Sequence, residues 1–266
     1  MSNNIEPGKA WKPSDMPWLD GKTKVGLTVA VPYSGRPTTV EWAFGLALQG
    51  WPMNIRTYFS ALKGKPIAEA RTTLIKKARE NNVRYLFFID DDVVLPVNAG
   101  AKLYDTLIKQ GPLVKVAAGI YPNRDTDNPE PMIFQGDGNG AFWKWKVGEI
   151  FPVSGAGTGC MLIDMELFDH LEEPWFKVIN ELNYDETDRM FLFDYMTDDL
   201  FFCEKVIKAG FQIVCDGAVI CAHQNALDGK TYYLPLNSYP FQPIEPIPQN
   251  ESQRILAAQC ANQVQK

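Results

Sequence analysis

Arg84-Tyr85-Leu86-Phe87-Phe88-Ile89-Asp90-Asp91-Asp92-Val93-Val94-Leu95-Pro96 is the stretch on which the reading of the chain turns. Tyr85 to Ile89 is a short apolar run with no polar alternation. Such a run fits a strand buried on both faces, as in a parallel sheet. It ends in three consecutive acids, whose mutual repulsion calls for solvent or a cation. On an extended backbone Asp90 and Asp92 point one way and Asp91 the other. Two carboxylates on one side, at the carboxyl end of a buried strand, suit a hard cation at the place where open α/β sheets bind ligands. A bare Asp-Asp-Asp would read as an acidic loop or a helix start; the buried strand before it favours the cation site.

Working outward, the same alternation of strand and helix continues on both sides. Val25–Val31 reads as the first strand, running into the turn-rich loop Pro32-Tyr33-Ser34-Gly35-Arg36-Pro37. Thr38 or Thr39 can cap a helix that runs to Gln49 and stops at Gly50. Asn54–Phe59 is a second strand. Pro66 suits the first turn of a helix reaching about Asn82, with Ile67, Ala70, Leu74, Ile75 and Ala78 as its apolar stripe. Arg71 lies inside that stripe, so it must snorkel out or reach a partner, such as a phosphate or a base over the sheet edge. After the acids come a helix from about Val97 to Gln110, closed by Gly111, and a strand over Leu113–Tyr121. This β-α-β-α-β-α-β order is half of a doubly wound α/β fold.

The second half is less regular. Tyr121–Glu130 is a polar turn region, and residues 131–151 read as a hairpin or flap. Gly155-Ala156-Gly157-Thr158-Gly159 is not a dinucleotide fingerprint, because a strand follows it rather than a helix. It is a close-approach loop, serving either a ligand or tight packing. Asp164 caps a short helix to His170, and Asn180–Tyr195 reads as an acidic, aromatic acceptor loop. Thr197-Asp198-Asp199 opens a helix that Gly210 stops. One acid suffices for the cap, which leaves Asp199 for other work. Phe211–Cys215 and Ala218–Ala222 read as strands, with His223 directly after. Alone, that histidine reads as structural. Pro235, Pro240, Pro243, Pro246 and Pro248 mark an extended tail, followed by a weak helix over Glu251–Gln263.

The bulk properties narrow the classes. The 266 residues are 45% hydrophobic and can bury a full core. With a net charge of −6, broad nucleic-acid affinity from the overall field is not expected, although a local basic groove remains open. The five cysteines lack zinc-type spacing and read as small buried residues in a reducing compartment. No signal peptide is expected, and no run approaches the roughly 18 apolar residues of a membrane span, so the expectation is a cytoplasmic protein.

Three segments together resemble the GT-A-type glycosyltransferases that use nucleotide-diphospho-sugars, in particular the family-2-like group. Ala70-Arg71-Thr72-Thr73-Leu74 leading to Tyr85–Val93 is similar to that family's Ala-Arg-Asn helix and Asp-x-Asp strand. Gly157–Ile163 with its short helix is similar to the segment that follows. Asp198-Asp199-Leu200 to Ala209-Gly210-Phe211, then Ala222-His223, is similar to the Glu-Asp helix, the Ala-Gly-aromatic turn and a terminal metal-ligand histidine. The match covers about residues 25–225. It departs at Asp198, where the family has Glu, and at Thr72, where it has Asn.

The resemblance implies a GT-A fold: a doubly wound, mostly parallel, Rossmann-like sheet with a mixed acceptor-side half. The expected domains are an arm at 1–23, the transferase domain at 24–228 (nucleotide-sugar half 24–121, acceptor half 122–228) and a C-terminal extension at 229–266. It implies transfer from a UDP- or GDP-linked sugar to an acceptor hydroxyl. A divalent metal, Mn²⁺ rather than Mg²⁺, would sit on Asp90, Asp92 and His223. Pro32, Tyr33, Arg36, Arg71, Asp90 and Asp91 would hold the donor. Asp199, with Asp198 beside it, would be the catalytic acid pair, Asp199 acting as base in an inverting reaction. The acceptor could be a glycan, a protein, a metabolite or a modified nucleic-acid base, and the tail could join copies of the chain. The rival readings are a nucleotidyltransferase, a haloacid-dehalogenase-like phosphatase using Asp90, and a non-catalytic sugar-nucleotide or glycan-binding module.

Overall fold

The computed structural model describes residues 26–52, 55–125, 127–136, 140–185, 190–225 and 227–236. The arm at 1–23 with Trp11 and Trp18, the tail beyond residue 236 and Cys260 lie outside the described residues. All elements below belong to the unit that ends at Pro235.

In chain order the elements are β1 (Gly26–Tyr33), α1 (Val40–Ala47), β2 (Arg56–Lys63), α2 (Ile67–Glu80), β3 (Tyr85–Ile89), β4 (Val93–Val94), α3 (Ala99–Lys109) and β5 (Val114–Ile120). The second half holds β6 (Ile133–Phe134), β7 (Ile150–Val153), β8 (Gly155–Ala156), β9 (Cys160–Asp164) and a 3₁₀ turn at Met165–Asp169. It closes with β10 (Ile179–Asp185), β11 (Met190–Met196), α4 (Asp198–Lys208), β12 (Gln212–Ile220), β13 (Ala222–Asn225) and β14 (Lys230–Tyr232). Among the described residues no helix is long and apolar enough to cross a membrane.

Seven strands form one mostly parallel sheet in the order β2-β1-β3-β9-β5-β12-β7. β9 runs antiparallel between β3 and β5, and β7 runs antiparallel on the outer edge of β12. The central strands are apolar throughout because both faces are covered: β3 and β5 are buried almost to the last residue. Phe87 faces Trp51 and the α3 side, while Phe88 faces Phe176, which stacks on Phe202 of α4. Gly100 permits the first of these contacts, since a Cβ there would lie 2.7 Å from the Trp51 ring.

Most expected elements occur within a residue or two of their expected ends, and Thr39 is the cap of α1, its side chain accepting from Trp42 N. The departures have local causes. β2 lies later than Asn54–Phe59 because its register is set by β1, from Gly26 opposite Arg56 to Tyr33 opposite Lys63. The segment 131–151 contains no hairpin of its own among the described residues. β6 pairs with β8, β7 pairs with β12, and Trp145 stacks on Phe151. The stretch expected as a loop at 180–195 is an antiparallel pair, β10 with β11. The two strands expected around Asp216-Gly217 are one strand with a register shift. Asp216 accepts from Thr106 Oγ1 at 2.7 Å there, and a Cβ on Gly217 would lie 2.6 Å from Lys146 O.

Candidate active site

The carboxyl ends of β1 and β3, the start of α4 and the strand β13 meet at one place, and the predicted site residues converge there. β3 delivers the acids. At Ile89 the extended backbone ends: Asp90 N donates to Gly159 O and Val93 N to Asp90 O, so the chain turns through Asp91 and Asp92. Trp42 Nε1 caps the Asp90 carbonyl at 2.9 Å. The expected strand alternation therefore does not govern the three acids, and each goes to its own partner.

Asp91 Oδ2 accepts from Ser34 N and Oγ at 2.8 and 2.5 Å, which ties the acid turn to the loop after β1. In that loop Pro32 is buried, Arg36 is exposed and the Lys63 ammonium lies 5.7 Å from the Tyr33 ring. Asp90 accepts both bonds of Arg71 Nη2, at 3.0 and 3.1 Å. Arg71 Nη1 donates to Asp198 Oδ2 at 2.6 Å. Arg71 is only 4% exposed, so it does not snorkel out. It links α2, β3 and α4 through two carboxylates and lies against the Phe176 ring. Burial opposes its charge, but the carboxylates of Asp90, Asp198 and Asp199 outweigh burial and raise its pKa. Burial likewise raises the Asp90 carboxyl, with Arg71 opposing and Asp92 adding to the rise.

Asp92 has a different neighbourhood. β13 pairs with β4, placing His223 opposite Val93. Gln224 N donates to Asp92 O at 2.8 Å, and Thr39 Oγ1 in turn bonds Gln224 Oε1. The result sets His223 Nε2 3.3 Å from Asp92 Oδ1. Nδ1 of the same ring lies 2.8 Å from Pro122 O, a carbonyl that can only accept, so Nδ1 carries a hydrogen and donates it. Tyr121 meets the ring edge to face at 5.4 Å. Arg124 Nη1 donates to Asp92 Oδ2 at 3.0 Å. Burial works to raise the Asp92 carboxyl, but the His223 hydrogen bond and charge, helped by Arg124, hold it below its ordinary value.

Asp198 and Asp199 sit in the first turn of α4, both buried. Asp198 is engaged by Arg71. Asp199 Oδ1 takes both the Leu200 amide, at 2.9 Å, and the Thr197 hydroxyl.

The structure thus joins Asp92 with His223 but turns Asp90 toward Arg71. Among the described residues no three His, Cys, Asp or Glu side chains converge as a metal cage. Sequence reasoning missed Ser34 as the partner of Asp91, and missed the whole run from Tyr121 to Arg124. That run was legible only as a polar turn, and a turn residue carries no sign of which strand end it faces.

The glycines at 155–159 serve packing. A Cβ on Gly157 would lie 2.0 Å from Tyr121 Oη, and one on Gly159 would lie 2.7 Å from Val93 Cγ2. Tyr121 Oη accepts from Gly159 N at 3.2 Å, so the contact also orients the ring against His223. Gly157→Ala should therefore lower stability by about 1–3 kcal/mol in urea denaturation. Tyr121→Phe should recover part of that loss in the double variant. A single variant as stable as the parent would contradict this packing account.

No known family profile matches the chain, and no curated protein matches its sequence. Solved structures do. "Crystal Structure of A197 from STIV" superposes with a TM-score of 0.52 at 13% identity, covering 83% of this chain and 100% of that one. "Crystal structure of GalNAc-T7 with UDP, GalNAc and Mn2+" superposes with a TM-score of 0.50 at 13% identity, covering 80% of this chain and 45% of that one. At such identities the likeness speaks to architecture alone, and together with the strand order it shows a GT-A-like α/β fold.

Proposed function

We propose that the protein is a metal-dependent glycosyltransferase that moves a sugar from a nucleotide-diphospho-sugar to an acceptor hydroxyl. The observation that carries the proposal is the Asp92–His223 pair at the carboxyl end of the sheet. Pro122 O fixes the histidine tautomer, so that in the neutral ring Nε2 presents its lone pair toward Asp92. A carboxylate oxygen and an imidazole nitrogen are a donor set that fits a divalent ion, and one that suits Mn²⁺ better than Mg²⁺. Such an ion would neutralise the charge of the departing diphosphate.

The chain's own residues do the rest in this reading. The loop Pro32–Arg36, held to Asp91 through Ser34, forms one wall for the nucleotide, with Tyr33 and Arg36 available to it. Arg71 does not reach out to the donor; it fixes Asp90 and Asp198 in place. Asp199, anchored through Oδ1, would take the proton of the acceptor hydroxyl as that oxygen attacks the anomeric carbon. The hairpin of β10 and β11 stands before α4 in the chain and is proposed as the acceptor side. Four cysteines, at 160, 203, 215 and 221, are free and buried, which supports a cytoplasmic setting.

The test is a thermal-shift panel of UDP- and GDP-sugars, each with and without Mn²⁺. One donor should stabilise the protein only when metal is present, by roughly 2.7 kcal/mol at a hundredfold excess over Kd. No response to any donor, with or without metal, would remove the proposal.

A further inference from the structure

Both carboxylate oxygens of Asp92 are occupied by side chains of the protein itself, the His223 ring on Oδ1 and the Arg124 guanidinium on Oδ2. The two are held differently. The His223 side chain is 12% exposed and is fixed by Pro122 O and the Tyr121 ring. The Arg124 side chain is 39% exposed, and Asp92 is its ion-pair partner among the described residues. An ion pair with that much water on one side is weak, because solvent competes for both partners. The backbone beneath it is firm. Asn123 N donates to Glu130 O at 2.8 Å, and Asn123 Oδ1 accepts from Glu130 N and Asp125 N. The base of the loop is anchored, while the long guanidinium arm is free to change partner.

We propose that Arg124 is an exchangeable counter-ion of the site. It neutralises Asp92 until a divalent ion arrives, leaves Oδ2 to that ion, and then binds the diphosphate of the donor. The inference rests on the glycosyltransferase reading above. A guanidinium matches two phosphate oxygens at once, which an ammonium does not. An arm that reaches Asp92 is also within reach of a diphosphate bound beside that carboxylate. The exchange keeps the charge near Asp92 balanced before and after loading. It also makes one residue both a competitor of the metal and a partner of the anion.

That double role has a signature of opposite signs. The experiment uses the full chain and the variants Arg124→Gln and Arg124→Lys. Mn²⁺ binding without nucleotide is measured by electron paramagnetic resonance of the free ion. UDP and GDP binding is measured by calorimetry at saturating Mn²⁺. Arg124→Gln should bind Mn²⁺ roughly threefold to fivefold more tightly, since a competing ion pair is gone. It should bind the nucleoside diphosphate about tenfold more weakly, since a charge-assisted contact is lost. Arg124→Lys should keep near-parental Mn²⁺ affinity and fall between the two for the diphosphate. A parent that binds metal and diphosphate, with an Arg124→Gln variant that shifts both the same way or leaves Mn²⁺ affinity unchanged, overturns the role of Arg124 alone. A parent that binds neither Mn²⁺ nor either diphosphate overturns the glycosyltransferase reading and this inference with it.

Discussion

Arg71→Met should cost about 3–5 kcal/mol of stability, read as a lower urea midpoint at unchanged slope. The reason is what remains behind. Asp90 and Asp198 approach each other only because a guanidinium lies between them, and Arg71 is 4% exposed. Removing it leaves the buried Asp198 carboxylate and the half-buried Asp90 carboxylate facing one another with no cation, and such an uncompensated charge is among the costliest single changes a core can suffer. The loss is a large part of the ~5–15 kcal/mol that holds an ordinary domain together. If Arg71→Met cannot be isolated, Arg71→Lys keeps the charge and loses the fork, and should fold with an intermediate midpoint. Adding Asp90→Asn and Asp198→Asn to Arg71→Met should recover much of the loss, because the stranded charges go with the arginine. A methionine variant with the parental midpoint would show that the cluster does not tie these three elements together.

Asp199→Asn should lower the transfer rate by about 10²–10⁴-fold while leaving donor affinity unchanged. An asparagine keeps the carbonyl oxygen that accepts from Leu200 N and Thr197 Oγ1, so the start of α4 stays intact. It loses only the ability to take a proton. Single-turnover transfer and the donor-induced thermal shift separate these two quantities. Full transfer by the asparagine variant would end the assignment of Asp199 as base. A fall in donor binding equal to the fall in rate would show that the residue holds the donor instead.

Much of the fold was legible because apolar burial sets a period. β3 has the ends expected from Tyr85–Ile89, since a run buried on both faces has no other solution. α2 shows its buried stripe at Ala70, Leu74, Ile75 and Ala78. Periodicity names a face, however, and not the group across from it. It placed Arg71 on the inner face of α2, yet the two carboxylates it meets lie 19 and 127 residues away in sequence. Likewise Asp92 was legible as a site residue, but its contact with Arg124 depends on how the turn after β5 is braced against β13. The acid triad was read as if the strand continued, and the turn at Asp91 and Asp92 gave each acid a separate partner. The Asp216-Gly217 pair, a break in the expected strands, is a shift within one strand because Thr106 and the Lys146 backbone approach it there.

The place of β9 between β3 and β5 has a consequence for how the chain is made. When synthesis has passed Ile120, both neighbours exist but the strand that joins them does not. β3 and β5 each then present an apolar edge with open backbone donors and acceptors until Cys160–Asp164 emerges, several seconds later at ~5–20 residues per second. An unpaired edge of this kind is a template for another chain. β9 closes the facing edges of β3 and β5 at once, while the far edge of β5 stays open until β12 emerges.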